Sequence, residues 1–186
     1  VTAAALDAAA ASSDLVVTVG GVSAGVLDLV PAHWQHRGWS ALIRGVRMQP
    51  GRPFSLWQSP DRTTIAVGLP GNPVSAFACT QIFIRAWIRG ALGLDPRRGR
   101  WRLPLIDPVR PNPKRPAFRP AAIAMDQAGR PGVRIPTWQG SGDLPHLAGT
   151  DGLARLDPGD QELPAGTLID FLPHHDMGDP GNETVR

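Results

Sequence analysis

Cysteine is almost missing from this chain, which has one, Cys79, among 186 residues. A single thiol excludes an internal disulfide and a zinc site built on several cysteines, and it fits a reducing, cytoplasmic compartment. Tyrosine is absent, and of the 19 basic residues all but Lys114 are arginine. Arginine stays protonated to above about pH 12, so the pI near 10.3 reflects residue type more than excess charge, which is only +3. No run approaches the length of a membrane span, and the first residues lack the basic start and apolar core of a signal peptide. An initiating Met is missing too. An alanine-rich helical stretch, capped by Thr2 and covering 3–11, runs straight into an apolar strand, which reads as a piece of a longer chain. The apolar share of 42% marks a globular chain with enough length for one or two cores.

The organising stretch is 14–28, Asp-Leu-Val-Val-Thr-Val-Gly-Gly-Val-Ser-Ala-Gly-Val-Leu-Asp. Its β-branched run at 15–19 predicts a buried strand of a parallel sheet. Gly20 and Gly21 stop the strand, and a helix is expected over 26–37. A strand, a glycine turn and a helix start leave backbone N–H groups aimed at one spot, where an anion fits. Asp28 falls in the first helical turn, within reach of that loop. An ordinary strand-to-helix turn accounts equally well for this stretch taken alone. His33 and His36 stand three apart on the same helix, but without a third ligand nearby they read as surface residues.

Gly38 should end that helix. A loose strand over 39–48, a Pro-Gly-Arg-Pro turn at 50–53 and a hairpin of strands at 54–58 and 64–69 follow. A second glycine-bearing loop, Pro70-Gly71-Asn72-Pro73, then leads into a helix over 74–92 with Phe77, Ile84, Ile88 and Ala91 on one face. In such sheets ligands sit at the carboxyl ends of the strands, where the two loops would converge. From Asp95 onward recurring prolines forbid long helices. Five short strands, at 101–106, 117–125, 133–138, 152–156 and 167–172, predict a small β-barrel or open sheet. Domains are therefore expected at 1–95 and 96–172, with a loose tail at 173–186 in which His174 and His175 are disordered. Residues 85–119 carry ten basic groups against two acids. Without interleaved aromatics or an RNA- or DNA-reading motif they read as a solvated linker, not a nucleic-acid surface.

Three stretches in this order, Thr18-Val-Gly-Gly-Val-Ser-Ala-Gly-Val-Leu-Asp28, Met48-Gln-Pro-Gly-Arg-Pro53 and Leu69-Pro-Gly-Asn-Pro-Val-Ser-Ala76, resemble the molybdopterin molybdenumtransferases, the MoeA and gephyrin E-domain family. Gln139-Gly-Ser-Gly-Asp-Leu144, Thr150-Asp-Gly-Leu-Ala-Arg-Leu156 and Ala165-Gly-Thr167 are similar to that family's C-terminal β-domain. The resemblance covers residues 2–172. It implies part of a three-layer α/β domain followed by a small β-barrel. It also implies insertion of molybdate into adenylylated molybdopterin with release of AMP, a need for Mg²⁺, and a homodimer. By resemblance Gly20, Gly21, Ser23 and Gly25 line the molybdopterin phosphate site. Asp28 is the acidic residue that handles metal or molybdate and takes the catalytic role. Pro50, Gly51 and Arg52 bind substrate, and Pro70, Gly71, Asn72, Pro73 and Ser75 form the second substrate loop.

Two departures stand out. Gln49-Pro-Gly-Arg52 replaces the Lys-Pro-Gly-Lys of many relatives, so one cation is missing. A preceding strand and helix with another acidic motif, and two N-terminal domains, have no counterpart here. The chain alone is therefore expected to hold ligand weakly without turnover. The related adenylyltransferase carries Gly-Gly-Thr-Gly in its loop, so Gly-Gly-Val-Ser-Ala-Gly favours the metal-inserting enzyme. A non-catalytic molybdopterin-binding or scaffold module is the alternative. Salt-sensitive binding would flag the nucleic-acid reading, and an upstream in-frame extension would settle fragment against short protein.

Overall fold

The Thr2 hydroxyl accepts from the Ala5 amide at 3.3 Å and opens the first helix, α1 (Ala3–Ala11), in a computed structural model that describes residues 2–22, 29–97, 99–137, 140 and 142–175. Strand β1 (Leu15–Val19) follows as expected. Of the next expected helix, α2 (Leu29–His36) is seen, and 26–28 lie outside the described residues. Gly38 ends α2 at φ +75°, where the amides of Gly38 and Trp39 return to the carbonyls of Gln35 and Trp34. His33 is not a plain surface residue, since its Nε2 lies 3.1 Å from Asp7 on α1, which also holds Arg37.

Strands β2 (Ser40–Arg44), β3 (Ser55–Gln58) and β4 (Ile65–Leu69) complete a sheet in the order β1-β4-β3-β2. Only β1 and β4 are parallel, in register from Leu15↔Ile65 to Val19↔Leu69. The other neighbours are antiparallel, because β2, β3 and β4 follow one another through turns and no helix crosses between them. One face of the sheet packs Val16, Trp57 and Ala66 against Leu6, Val30 and Trp34 of α1 and α2. The opposite face packs Phe54, Val67 and Leu69 against Cys79 and Ile84. Helices on both faces make three layers.

The second long helix is a rod of three pieces: α3 (Pro73–Cys79), a π-helical turn (Thr80–Ile84) and α4 (Arg85–Ala91). Pro73 takes the first position, where no N–H is needed. The π-helical turn changes the buried face. Val74, Ala78, Cys79 and Ile84 are inside, Phe77 is only partly covered and Ile88 is exposed, because the wider turn rotates the later residues off a regular helical stripe.

All five strands expected in the second half are present: β5 (Trp101–Pro104), β6 (Ala117–Met125), β7 (Pro131–Arg134), β8 (Gly152–Leu156) and β9 (Leu168–Pro173). Their order is β5-β9-β8-β6-β7, all antiparallel. The Ile106 amide donates to the Val133 carbonyl at 3.0 Å, so β7 curls back to the end of β5 and nearly closes a barrel. Leu105, Ala117, Val133, Leu156 and Phe171 fill it. β7 is earlier and shorter than expected, and a one-turn helix α5 (Leu144–Ala148) that the sequence did not announce starts at Asp143.

The barrel and the α/β part are joined along a seam. Ala78 packs on Leu153 and Leu172. His174, expected in a disordered tail, is anchored there: its Nε2 meets Thr150 Oγ1 at 3.0 Å and its ring stands edge-on to Phe77. No helix of the described residues is long and apolar enough to cross a membrane.

Candidate functional site

Parallel pairing of β1 with β4 places both of their following loops at the same end of the sheet. The Gly20 amide donates to the Leu69 carbonyl at 2.9 Å, so it fastens the two loops and is not a free donor for a ligand. Gly20 and Gly21 have φ of +79° and +69°, which lets the chain leave the strand at once. A Cβ on Gly71 would stand 3.6 Å from Gly20 Cα, so the loops lie backbone to backbone.

A third loop closes the site. Gly51 has φ +111° and lies on the sulfur of Cys79; a Cβ there would come within 2.7 Å of Sγ and 3.1 Å of Met48 Cε. Glycine is thus required for both conformation and space. Burial pushes the Cys79 thiol up to about 12, so this sulfur is an inert packing group.

Together the three loops enclose a cleft of about 680 Å³. Of the residues singled out from the sequence, Gly20, Gly21, Pro50, Gly51, Arg52, Pro70, Gly71, Asn72 and Ser75 line it. Pro73 does not; it sits at the helix start behind them. Ser23, Gly25 and Asp28 lie outside the described residues. Asn72 precedes the helix without capping it through its side chain, and Ser75 is buried in the cleft wall.

Six lining residues were not singled out: Val22, Met48, Gln49 and Pro53 flank the expected ones, and Arg115 and Gly140 come from the second half of the chain. Asn112 Oδ1 accepts from the amides of Lys114 and Arg115 at 2.8 and 3.2 Å, folding 112–115 into a tight turn that carries Arg115 to the cleft. Asn112 Nδ2 in turn donates to Gln49 Oε1. The Gln49 amide donates to Pro116 O at 2.9 Å, and its carbonyl accepts from Phe118 N at 2.7 Å. Gln49, the apparent loss of a cation, is therefore a clamp between the two parts of the molecule. The Asn-Pro-Lys-Arg sequence at 112–115 signals this turn, but only the fold shows where it points.

The electrostatics are one-sided. Arg52 and Arg115 face the cleft, and no carboxylate is among its described lining. Such a wall selects oxyanions. It does not fit a divalent cation, and among the described residues no group of three or more His, Cys, Asp or Glu comes together.

The chain matches two family models: "Probable molybdopterin binding domain" over residues 1–90 and "MoeA C-terminal region (domain IV)" over 102–174. It is 36% identical over 170 residues to molybdopterin molybdenumtransferase 2 of Mycobacterium tuberculosis, covering 88% of this chain and 41% of that protein. It is 29% identical to the molybdopterin molybdenumtransferase of Synechococcus elongatus, covering 84% of this chain and 37% of that protein. A MoeA crystal structure from Pyrococcus horikoshii superposes with a TM-score of 0.72 at 21% identity, over 93% of this chain and 40% of that one. The chain thus spans about two fifths of the length of the relatives it matches.

Proposed function

Because the chain belongs to the MoeA and gephyrin family, whose molybdopterin-binding and C-terminal models it matches in order, we propose that it carries the substrate cleft of a molybdopterin molybdenumtransferase, which inserts molybdate into adenylylated molybdopterin and releases AMP. The observation that carries this reading is the cleft where the two strand-end loops meet Arg52 and Arg115 with no carboxylate among its described lining. Both molybdate and the phosphate of molybdopterin are oxyanions, and guanidinium forks grip tetrahedral oxyanions through paired N–H donors. Gly71 and Gly20 let a ligand approach backbone where a side chain would stand, and Arg115 brings a donor from the second domain.

A Mg²⁺ ion, when bound, would polarise the phosphate leaving group. The described cleft wall supplies no carboxylate for it, and by family likeness Asp28, outside the described residues, would hold it. Pairing of two copies into a homodimer and a cytoplasmic setting belong to the same proposal, by family likeness.

Reconstitution tests the reading. The full-length protein that contains this chain is incubated with adenylylated molybdopterin, molybdate and Mg²⁺, and AMP and molybdenum cofactor are quantified. Release of both, strongly reduced in Arg52→Ala and Arg115→Ala, is expected. Absence of AMP release by the folded wild type would refute the assignment.

A further inference from the structure

Helix α4 carries apolar side chains but buries none of its residues fully. Ile88 is 45% exposed, and Leu92 and Leu94, just past the helix end, are 69% and 48% exposed. Ile88 and Leu92 stand four apart, on one side of the helix. Arginines run beside them. Arg85 and Arg89 are also four apart, and both line a small crevice with Arg100, Pro96 and Leu172. Residues 85–100 hold five arginines against one acid, Asp95, whose Oδ1 accepts from the Arg97 amide at 2.9 Å. An apolar strip edged by cations suits an acidic segment that also carries apolar side chains.

The course of the chain after β9 supplies the occupant. The Pro173 carbonyl accepts from Arg85 Nη1 at 2.7 Å, so β9 ends against the first residue of α4. Leu172 is in the crevice wall, and His175, the last residue described at this end, is exposed. The sequence continues outside the described residues as Asp176-Met-Gly-Asp-Pro-Gly-Asn-Glu-Thr-Val-Arg186, with three acids against one arginine. A segment of this length can reach up to about 36–40 Å when extended, whereas Arg85 to Leu92 covers about 11 Å of helical rise. Tethering favours the contact as well. A segment joined to its own surface acts at an effective concentration in roughly the millimolar range, so charge pairs that are weak one by one are enough.

We propose that the face of α4 made by Ile88, Leu92 and the flanking arginines is a docking surface for residues 176–186 of the same chain. The carboxylates of Asp176, Asp179 and Glu183 meet the arginines, and the apolar side chains of the segment cover the apolar strip. Because β9 belongs to the barrel and α4 to the α/β part, the docked segment straps the seam at which Ala78 packs on Leu153 and Leu172. The inference does not depend on the chemistry of the cleft.

The test uses the full-length protein that contains this chain, with any other accessible cysteine replaced by serine. Nitroxide labels are placed at Gly90→Cys, where an added Cβ meets nothing within 4 Å, and at Asn182→Cys, while the buried Cys79 stays unlabelled. Electron–electron dipolar spectroscopy should give one narrow population of label distances. It should broaden at about 1 M salt, where the screening length falls to roughly 3 Å. Arg89→Glu/Arg100→Glu should broaden it, and adding Asp176→Arg/Asp179→Arg to that variant should restore it. Asp176→Asn/Asp179→Asn/Glu183→Gln, which changes no described residue, must broaden it as well. A broad distribution in the labelled starting protein, or a narrow one that these changes leave as it was, would overturn the proposal. So would failure of the charge swap to restore the narrow population in a protein whose circular dichroism is unchanged. Loss of the narrow population on dilution with unlabelled protein would place the segment on a second copy and overturn docking within one chain.

Discussion

Gly51 shows how much a single position can carry. With φ +111° and Cys79 Sγ directly beneath, an alanine there is strained by backbone and by contact at once. Gly51→Ala should cost about 1–3 kcal/mol in a denaturant titration, and should also weaken oxyanion binding because the loop must lift from the sulfur. Cys79 itself, with its thiol pushed up to about 12 and fully buried, should resist alkylation in the native protein at pH 8 and react only on unfolding, as mass spectrometry would show. In the full-length protein that contains this chain, Asp28→Asn should, on the role proposed for it, retain fold and pterin binding but depress metal insertion at ordinary Mg²⁺; normal insertion would overturn that proposed role. At this scale the sequence was legible where chemistry is local. Gly20, Gly21 and Gly51 are turn residues whose positive φ depends on their own missing Cβ. Arg115 was not legible, because its place depends on an Asn112 side chain and on a clamp to Gln49 that is distant in sequence.

Among the elements, the strands of the second half and the two strand-to-helix units could be read from proline spacing and apolar runs. The β3–β4 hairpin could be read from its polar turn, whereas the antiparallel addition of β2 beyond it and the altered face of the Pro73–Ala91 rod could not. A π-helical turn leaves no periodic mark, and it moves Phe77 and Ile88 off the buried face through backbone geometry alone. The end of β9 offers a pH test. Thr150 Oγ1 donates to Leu147 O at 2.7 Å and so accepts from His174 Nε2–H, leaving Nδ1 buried and bare. Burial first, then the neighbouring His175, disfavour the imidazolium; Asp151 opposes them, and Arg85 adds the least to the depression. The folded-state value lies below the ordinary 6.5, so below that pH the unfolded chain takes up a proton that the folded chain resists. Stability should therefore be full above about pH 6.5 and fall as the pH drops towards the depressed folded value. His174→Gln should flatten that part of the profile in thermal melts from pH 7.5 to 5.

At the scale of the whole molecule, function depends on holding two folded parts in register. Asn112→Ala removes both the cap of the 112–115 turn and the bond to Gln49. It should cost about 1–3 kcal/mol and loosen Arg115, visible as weaker oxyanion binding in a protein that still folds. The outer edge of β1 pairs with no other strand among the described residues, and Val17 and Val19 there are 42% and 64% exposed. An open apolar edge invites pairing, so this chain should self-associate in sedimentation experiments, and Val19→Lys should reduce it. The change from a three-layer part to a barrel followed from composition, since recurring prolines after Asp95 exclude long helices. The seam between them did not, because Ala78, Leu153 and Leu172 are ordinary core residues until the two parts meet. The central claim is that loops from both parts make one oxyanion site, and calorimetric titration of molybdate tests it most directly. Wild type should bind at a single site, and Arg52→Ala/Arg115→Ala should bind at least about tenfold more weakly. Equal affinity in the two folded proteins would contradict the account.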